Sequence, residues 1–146
     1  MERDGNTTDE QSKLYNSGVT VVVAAGNNNR DASNFSPARS EQAITVAAST
    51  IDDTKATFSN FGAPVDIWAA GLHITSTWND GGIKNINGTS MATPHVAGFV
   101  AYLLGSDSTL TPAQIAEIIK ERSLEDVLGG VREYFSLHVA YLTSGR

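Results

Sequence analysis

Residues Asn87 to His95 read Asn-Gly-Thr-Ser-Met-Ala-Thr-Pro-His, and they set one hydroxyl, that of Ser90, among small neighbours. The small residues leave Oγ open to a substrate. The strongly apolar stretch that follows reads as a helix, whose N-terminal partial positive charge would face any negative charge developing beside Ser90. That is the setting a nucleophilic serine needs, but serine attacks poorly at neutral pH without an adjacent base. The same Gly-Thr-Ser turn on its own also suits a helix cap.

A second candidate lies at residues 24–27, Ala-Ala-Gly-Asn, where a β-branched run stops abruptly. Asn27 carries an amide that can donate to an oxyanion, although asparagine is also a common turn former, as expected of Asn28 and Asn29. A base is harder to find. His95 comes five positions after Ser90, about 140° round a helix, so its ring faces away from the hydroxyl. His73 precedes a hairpin signal and fits a surface or supporting role. His138 lies in a poorly patterned tail.

The elements that must position these residues are legible from periodicity. Residues 10–16 form a weak helical stretch ended by Gly18, and residues 1–10 are polar and poorly patterned. Residues 19–25 and 43–49 are continuous apolar, β-branched runs, as expected of parallel strands buried on both faces. Residues 65–69 give a third strand. Residues 74–78 and 83–87 flank Asn-Asp-Gly-Gly, a hairpin signal. Residues 90–104 read as a helix apolar on almost every face, hence enclosed at the domain centre, with Pro94 in its first turn and Gly105 ending it. A second helix opens with a capping box of Thr111, Pro112 and Gln114 and carries an Ile115, Ile118, Ile119 stripe.

Composition narrows the function class. The 146 residues suffice for one domain, and 40% hydrophobic with 18% charged residues reads as globular. A net charge of −6 without a basic cluster argues against a nucleic-acid partner. No apolar run is long enough for a membrane helix. The absence of cysteine removes disulfides and thiolate metal sites. The polar first residues lack the apolar core of a secretory signal. Sequons at Asn6, Asn34 and Asn87 matter only for a secreted chain.

Taken together, the Ala-Ala-Gly-Asn and Gly-Thr-Ser-Met-Ala-Thr-Pro-His segments resemble those of the subtilisin-like serine proteases, most closely the proteinase K branch. Residues 33–38 and 58–62 also resemble loops of that family. The resemblance runs from about residue 15 to 104, weakens beyond 121 and is absent before 10. It implies an α/β fold with a mostly parallel three-layer sheet, here the C-terminal half of the catalytic domain, and serine endopeptidase chemistry on peptide or protein substrates. By that resemblance Ser90 attacks the scissile carbonyl, and Asn27 and the Ser90 backbone N–H bind the oxyanion. Subtilisin itself is the measured case of such a side-chain donor, whose loss costs about 10²–10³ in turnover. Thr89 supports the same hole. Ala24, Ala25 and Gly26 form one wall of the pocket for the residue preceding the cleaved bond. Met91, behind the nucleophile, is the expected site of oxidative inactivation.

The resemblance implies no cofactor for the chemistry, but it does imply a structural calcium held by the Glu41 and Ala43 carbonyls and the Asp66 carboxylate. Oxygen ligands suit that ion, although Glu41 replaces the family's usual proline. Ser36-Pro37 matches a position that is cis in the family. Relatives of this type are secreted or vacuolar.

The family's aspartate and histidine sit in Asp-[Ser/Thr]-Gly and His-Gly-Thr motifs, and neither motif occurs in this sequence. An internal triad in α/β-hydrolase order, Ser90, Asp107 or Asp126, then His138, meets an obstacle. The elbow of that family needs glycine where Ala92 stands. The expectation is therefore a nucleophile and an oxyanion hole without their base, inactive alone. The rivals are a non-catalytic remnant that binds peptides or a partner, or a chain complemented by a separate polypeptide.

Overall fold

The structure, a computed structural model, describes residues 4–124 and 127–130. His138 and Asp126 lie outside them, and with them the tail part of the internal-triad reading. The elements in chain order are α1 (Asp4–Asn16), β1 (Val22–Ala24), a 3-10 turn (Ala32–Asn34), β2 (Ile44–Ser49), β3 (Ile67–Ala70), β4 (Ile74–Thr77), β5 (Ile83–Ile86), α2 (Thr89–Ser106) and α3 (Pro112–Glu121).

β1, β2 and β3 form a parallel sheet in that order, with Val23 opposite Thr45 and Ala47 opposite Trp68. β4 and β5 form a separate antiparallel hairpin. Alternate residues of β2 and β3 point to opposite faces. Ile44, Val46, Ala48, Ile67 and Ala69 join Ala92, Val96, Val100 and Leu103 of α2 and Ile115 and Ile119 of α3 in one core. Ala47 and Trp68 point the other way, into a second cluster with Ala25, Ala32, Ala38, Val65 and Leu128. Helices cover one face of the sheet and irregular segments the other.

β2 is buried along its whole length, as its sequence requires. β1 departs from expectation: it is three residues long and only half-buried, because among the described residues it pairs with β2 alone. α1 begins at Asp4, well before residue 10, and ends as foreseen. Gly18 (φ 87°) closes a Schellman motif in which Val19 N–H donates to Leu14 and Gly18 N–H to Tyr15.

α2 needs three corrections. It runs past Gly105 to Ser106, and Pro94 falls in its second turn, so the Ser90 carbonyl lacks the usual amide partner. It is not enclosed: Thr89, Ala92, Val96, Val100 and Leu103 are buried, whereas Ala97, Gly98, Ala101 and Tyr102 are exposed. The three-stranded sheet covers only one side of it. α3 carries the foreseen capping box, with Thr111 Oγ1 accepting from Gln114 N–H while Gln114 Oε1 accepts from Thr111 N–H.

Candidate active site

The site is assembled where the chain leaves β1 and where it enters α2. Gly26 must be glycine twice over: its φ is 102°, and a Cβ there would lie 2.5 Å from Asn60 Nδ2. Asn60 is fully buried and holds the following loop with both ends of its amide. Nδ2 donates to the Ala25 carbonyl at 2.8 Å, and Oδ1 accepts from Asn28 N–H at 3.0 Å and Arg30 N–H at 3.1 Å. Its own N–H donates to the Gly26 carbonyl. Asn60 is a residue that sequence reading missed. The only signal was its place in the family-like 58–62 segment.

From this loop Asn27 reaches across to Thr89, 62 positions away. Thr89 N–H and Thr89 Oγ1–H both donate to Asn27 Oδ1 at 2.9 Å, and Thr89 Oγ1 accepts from Gly26 N–H at 3.2 Å. A backbone N–H can only donate, so the Asn27 atom facing Thr89 must be the oxygen. The amide nitrogen is thereby turned the other way. Gly88 has φ 156° and ψ 157°, backbone that only glycine adopts readily. The point a Cβ would occupy there is 3.6 Å from Ser90 N and 3.7 Å from Asn27 Nδ2, so the two donors flank one small space.

The turn is tied down on its other side. Gly88 N–H donates to the Gly71 carbonyl, and Asn87 Oδ1 accepts from His73 N–H. Ser90 is exposed, and among the described residues no hydrogen bond engages its hydroxyl. His95 Nδ1–H donates to the Met91 carbonyl of its own helix at 2.9 Å, which keeps the ring off Ser90 as its spacing requires. The residue is exposed. His73 is exposed, with φ 57°.

Of the expected pocket wall, Ala24 and Gly26 reach the surface. Ala25 does not: just past β1, with its N–H on the Val46 carbonyl, it is fully enclosed in the second core cluster. A hollow of about 320 Å³ opens between the hairpin and α2, lined by Ile74, Trp78, Ile86, Met91, Pro94 and His95. Lys84 lies over the Trp78 ring at 4.5 Å.

Glu41, Ala43 and Asp66 do come together, around a hollow of about 100 Å³. Its lining includes Lys120, whose Nζ lies 2.9 Å from Asp66 Oδ1, while Asp66 Oδ2 accepts from Thr45 N–H at 2.8 Å. Ser36-Pro37 is cis.

A profile of the Subtilase family matches residues 2–135, a wider span than the 15–104 expected. The chain belongs to the subtilase family. This subtilase chain is 48% identical over 128 residues to a cuticle-degrading protease of Metarhizium anisopliae, an alignment that takes in 88% of the chain and 33% of the relative. It is 50% identical over 107 residues to alkaline serine exoprotease A of Vibrio alginolyticus, covering 73% and 20%. It superposes with a TM-score of 0.88 and 42% identity on a cold-adapted subtilisin-like serine proteinase, over 92% of the chain and 49% of that structure. The chain thus spans about a third or less of these curated relatives, and its fold is a partial α/β subtilisin fold. Among the described residues no helix is long and apolar enough to cross a membrane.

Proposed function

We propose that this chain carries the nucleophile half of a serine endopeptidase site. Ser90 Oγ attacks the carbonyl carbon of a peptide bond, and Asn27 Nδ2 and Ser90 N–H receive the negative charge on its oxygen. Collapse of that intermediate forms the Ser90 ester and releases the amine, which takes up the proton lost by Ser90. Water then cleaves the ester. Neither step needs a cofactor. Thr89 acts as a positioning residue that turns the Asn27 amide, and Ala24 and Gly26 line the pocket for the residue before the cleaved bond.

The observation that carries this reading is the pair of bonds from Thr89 to Asn27 Oδ1, which leaves Nδ2 beside Ser90 N–H at Gly88. A helix cap at Ser90 would need none of that. Preorganised donors of this kind supply much of the rate acceleration in many acyl-transfer sites. Neither of the family's Asp and His motifs occurs in the sequence, so we further propose that the chain alone is inactive. A site stripped of its base retains only the residual rate that binding and the oxyanion hole supply. The substrates are peptides or proteins, and secretion follows the family.

A fluorophosphonate probe tests both parts. The purified chain is expected to label at trace level. A fusion to the unmatched N-terminal part of the Metarhizium protease is expected to label strongly at Ser90 and not at all after Ser90→Ala. Strong labelling of the chain alone would overturn the inactivity. A folded fusion that stays unlabelled would overturn the nucleophile assignment.

A further inference from the structure

The hollow at Asp66 has the position and ligand types that the family resemblance assigns to calcium, but its carboxylate already has a cation. Lys120 stands in the last turn of α3, where a positive charge is favoured, and its Nζ sits on Asp66 Oδ1 at 2.9 Å. Oδ2 is taken by Thr45 N–H. Calcium collects six to eight oxygens. Here the carboxylate between β2 and β3 is neutralised by Lys120 and each of its oxygens already has a partner, and among the described residues no three His, Asp or Glu side chains converge. A further oxygen of the lining, Thr20 Oγ1, is neutral and unpartnered. It would not offset the repulsion between a divalent ion and an ammonium group a few ångströms away.

We propose that Lys120 is a built-in replacement for the structural cation. Its ammonium provides the positive charge at Asp66, and its backbone ties that charge to α3. The start of β2, the lead into β3 and the last turn of α3 are then joined by Thr45–Asp66–Lys120, with no dissociable ion. Ile119, the neighbour of Lys120, is buried in the main core, so the helix that carries the ammonium is fixed against the sheet. The arrangement works only because α3 ends beside Asp66. A lysine one turn earlier would not share that end of the helix.

The test is thermal unfolding of the full chain with and without calcium, together with a terbium luminescence titration sensitised by Tyr15, which lines the same hollow. The wild-type midpoint is expected to be the same in millimolar calcium and in EDTA. Lys120→Ala is expected to melt about 2–4 °C lower in EDTA, to recover in calcium, and to bind terbium at least about tenfold more tightly than wild type once the competing charge is gone. Lys120→Gln, which keeps the stem, should behave alike. Saturable calcium stabilisation of the wild-type chain would overturn the proposal. So would a Lys120→Ala midpoint equal to wild type, or a lowered midpoint that calcium fails to restore.

Discussion

Asn60 offers the sharpest test of how the site is held. In Asn60→Ala three backbone groups lose their partners: the Ala25 carbonyl, which is buried, and the amides of Asn28 and Arg30, which are partly buried. A buried group left unpaired costs about 1–3 kcal/mol, and each partly hydrated amide about 0.5–1.5 kcal/mol. The sum is about 2–6 kcal/mol, against a total stability of about 5–15 kcal/mol for a domain. Trp68, 1% exposed, provides the fluorescence signal for urea unfolding. At an m-value of about 1–3 kcal/mol/M, the midpoint should fall by at least about 0.7 M with m unchanged. Hydrogen exchange should accelerate at Asn28 and Arg30 beyond the global change. Asn60→Asp is the companion variant. Its ionised form sets a second acceptor against the Ala25 carbonyl, and burial raises its pKa above the unfolded value. Stability of that variant should therefore recover as pH falls through the raised folded value. An Asn60→Ala loss below about 1 kcal/mol would refute the claim that Asn60 holds this loop.

Thr89→Val keeps the shape but removes the hydroxyl, leaving Gly26 N–H unpaired and Asn27 Oδ1 with one donor. A loss of about 1–3 kcal/mol in urea unfolding is expected, and an unchanged midpoint would contradict the network. Asp107 sits between α2 and α3, where Thr109 hydroxyl and backbone N–H both donate to its carboxylate and hold its pKa below the ordinary 3.8. A depressed carboxylate adds stability above its unfolded pKa and loses it as pH falls through the folded one. Wild type and Asp107→Ala should therefore differ by a constant margin from neutral pH down to about 4 and converge below it. A margin that persists unchanged into stronger acid would exclude this role.

What could be read from the sequence was local or one-dimensional. Thr111, Pro112 and Gln114 form a cap within four residues, and β2 advertises burial on both faces by composition alone. The hairpin and the Gly18 stop are equally local. β1 and α2 were over-read for one reason: an apolar run reports what an element is suited to pack against, not how much cover it meets. β1 is only half-buried and Tyr102 is 67% exposed, because β1 has one neighbour and α2 one covered side among the described residues. Asn60 and Lys120 were missed for the opposite reason. A polar side chain shows its importance only through partners fixed by tertiary structure, here 30–35 positions away for Asn60; the family-like 58–62 segment marks the loop of Asn60 but not its role, and Lys120 stands in no recognisable local pattern.

The geometry also separates two requirements that a serine protease site normally meets together. Among the described residues, orientation of the proposed oxyanion donors draws on hydrogen bonds from Thr89 to Asn27, from Gly26 to Thr89, from Asn60 to Gly26 and from Gly88 to Gly71, all within this chain. Activation of Ser90 uses none of them, since hydrogen bonds that turn the Asn27 amide do nothing to remove the serine proton. Thr89 and Asn60 substitutions should therefore change how well charge is received, and leave untouched how readily Ser90 is deprotonated. In the active fusion the first kind of change lowers turnover at every pH. A change at the base would move the pH profile instead. A Thr89 variant that shifted the profile would mean that the two halves are coupled, and that the donors are not set by this chain alone.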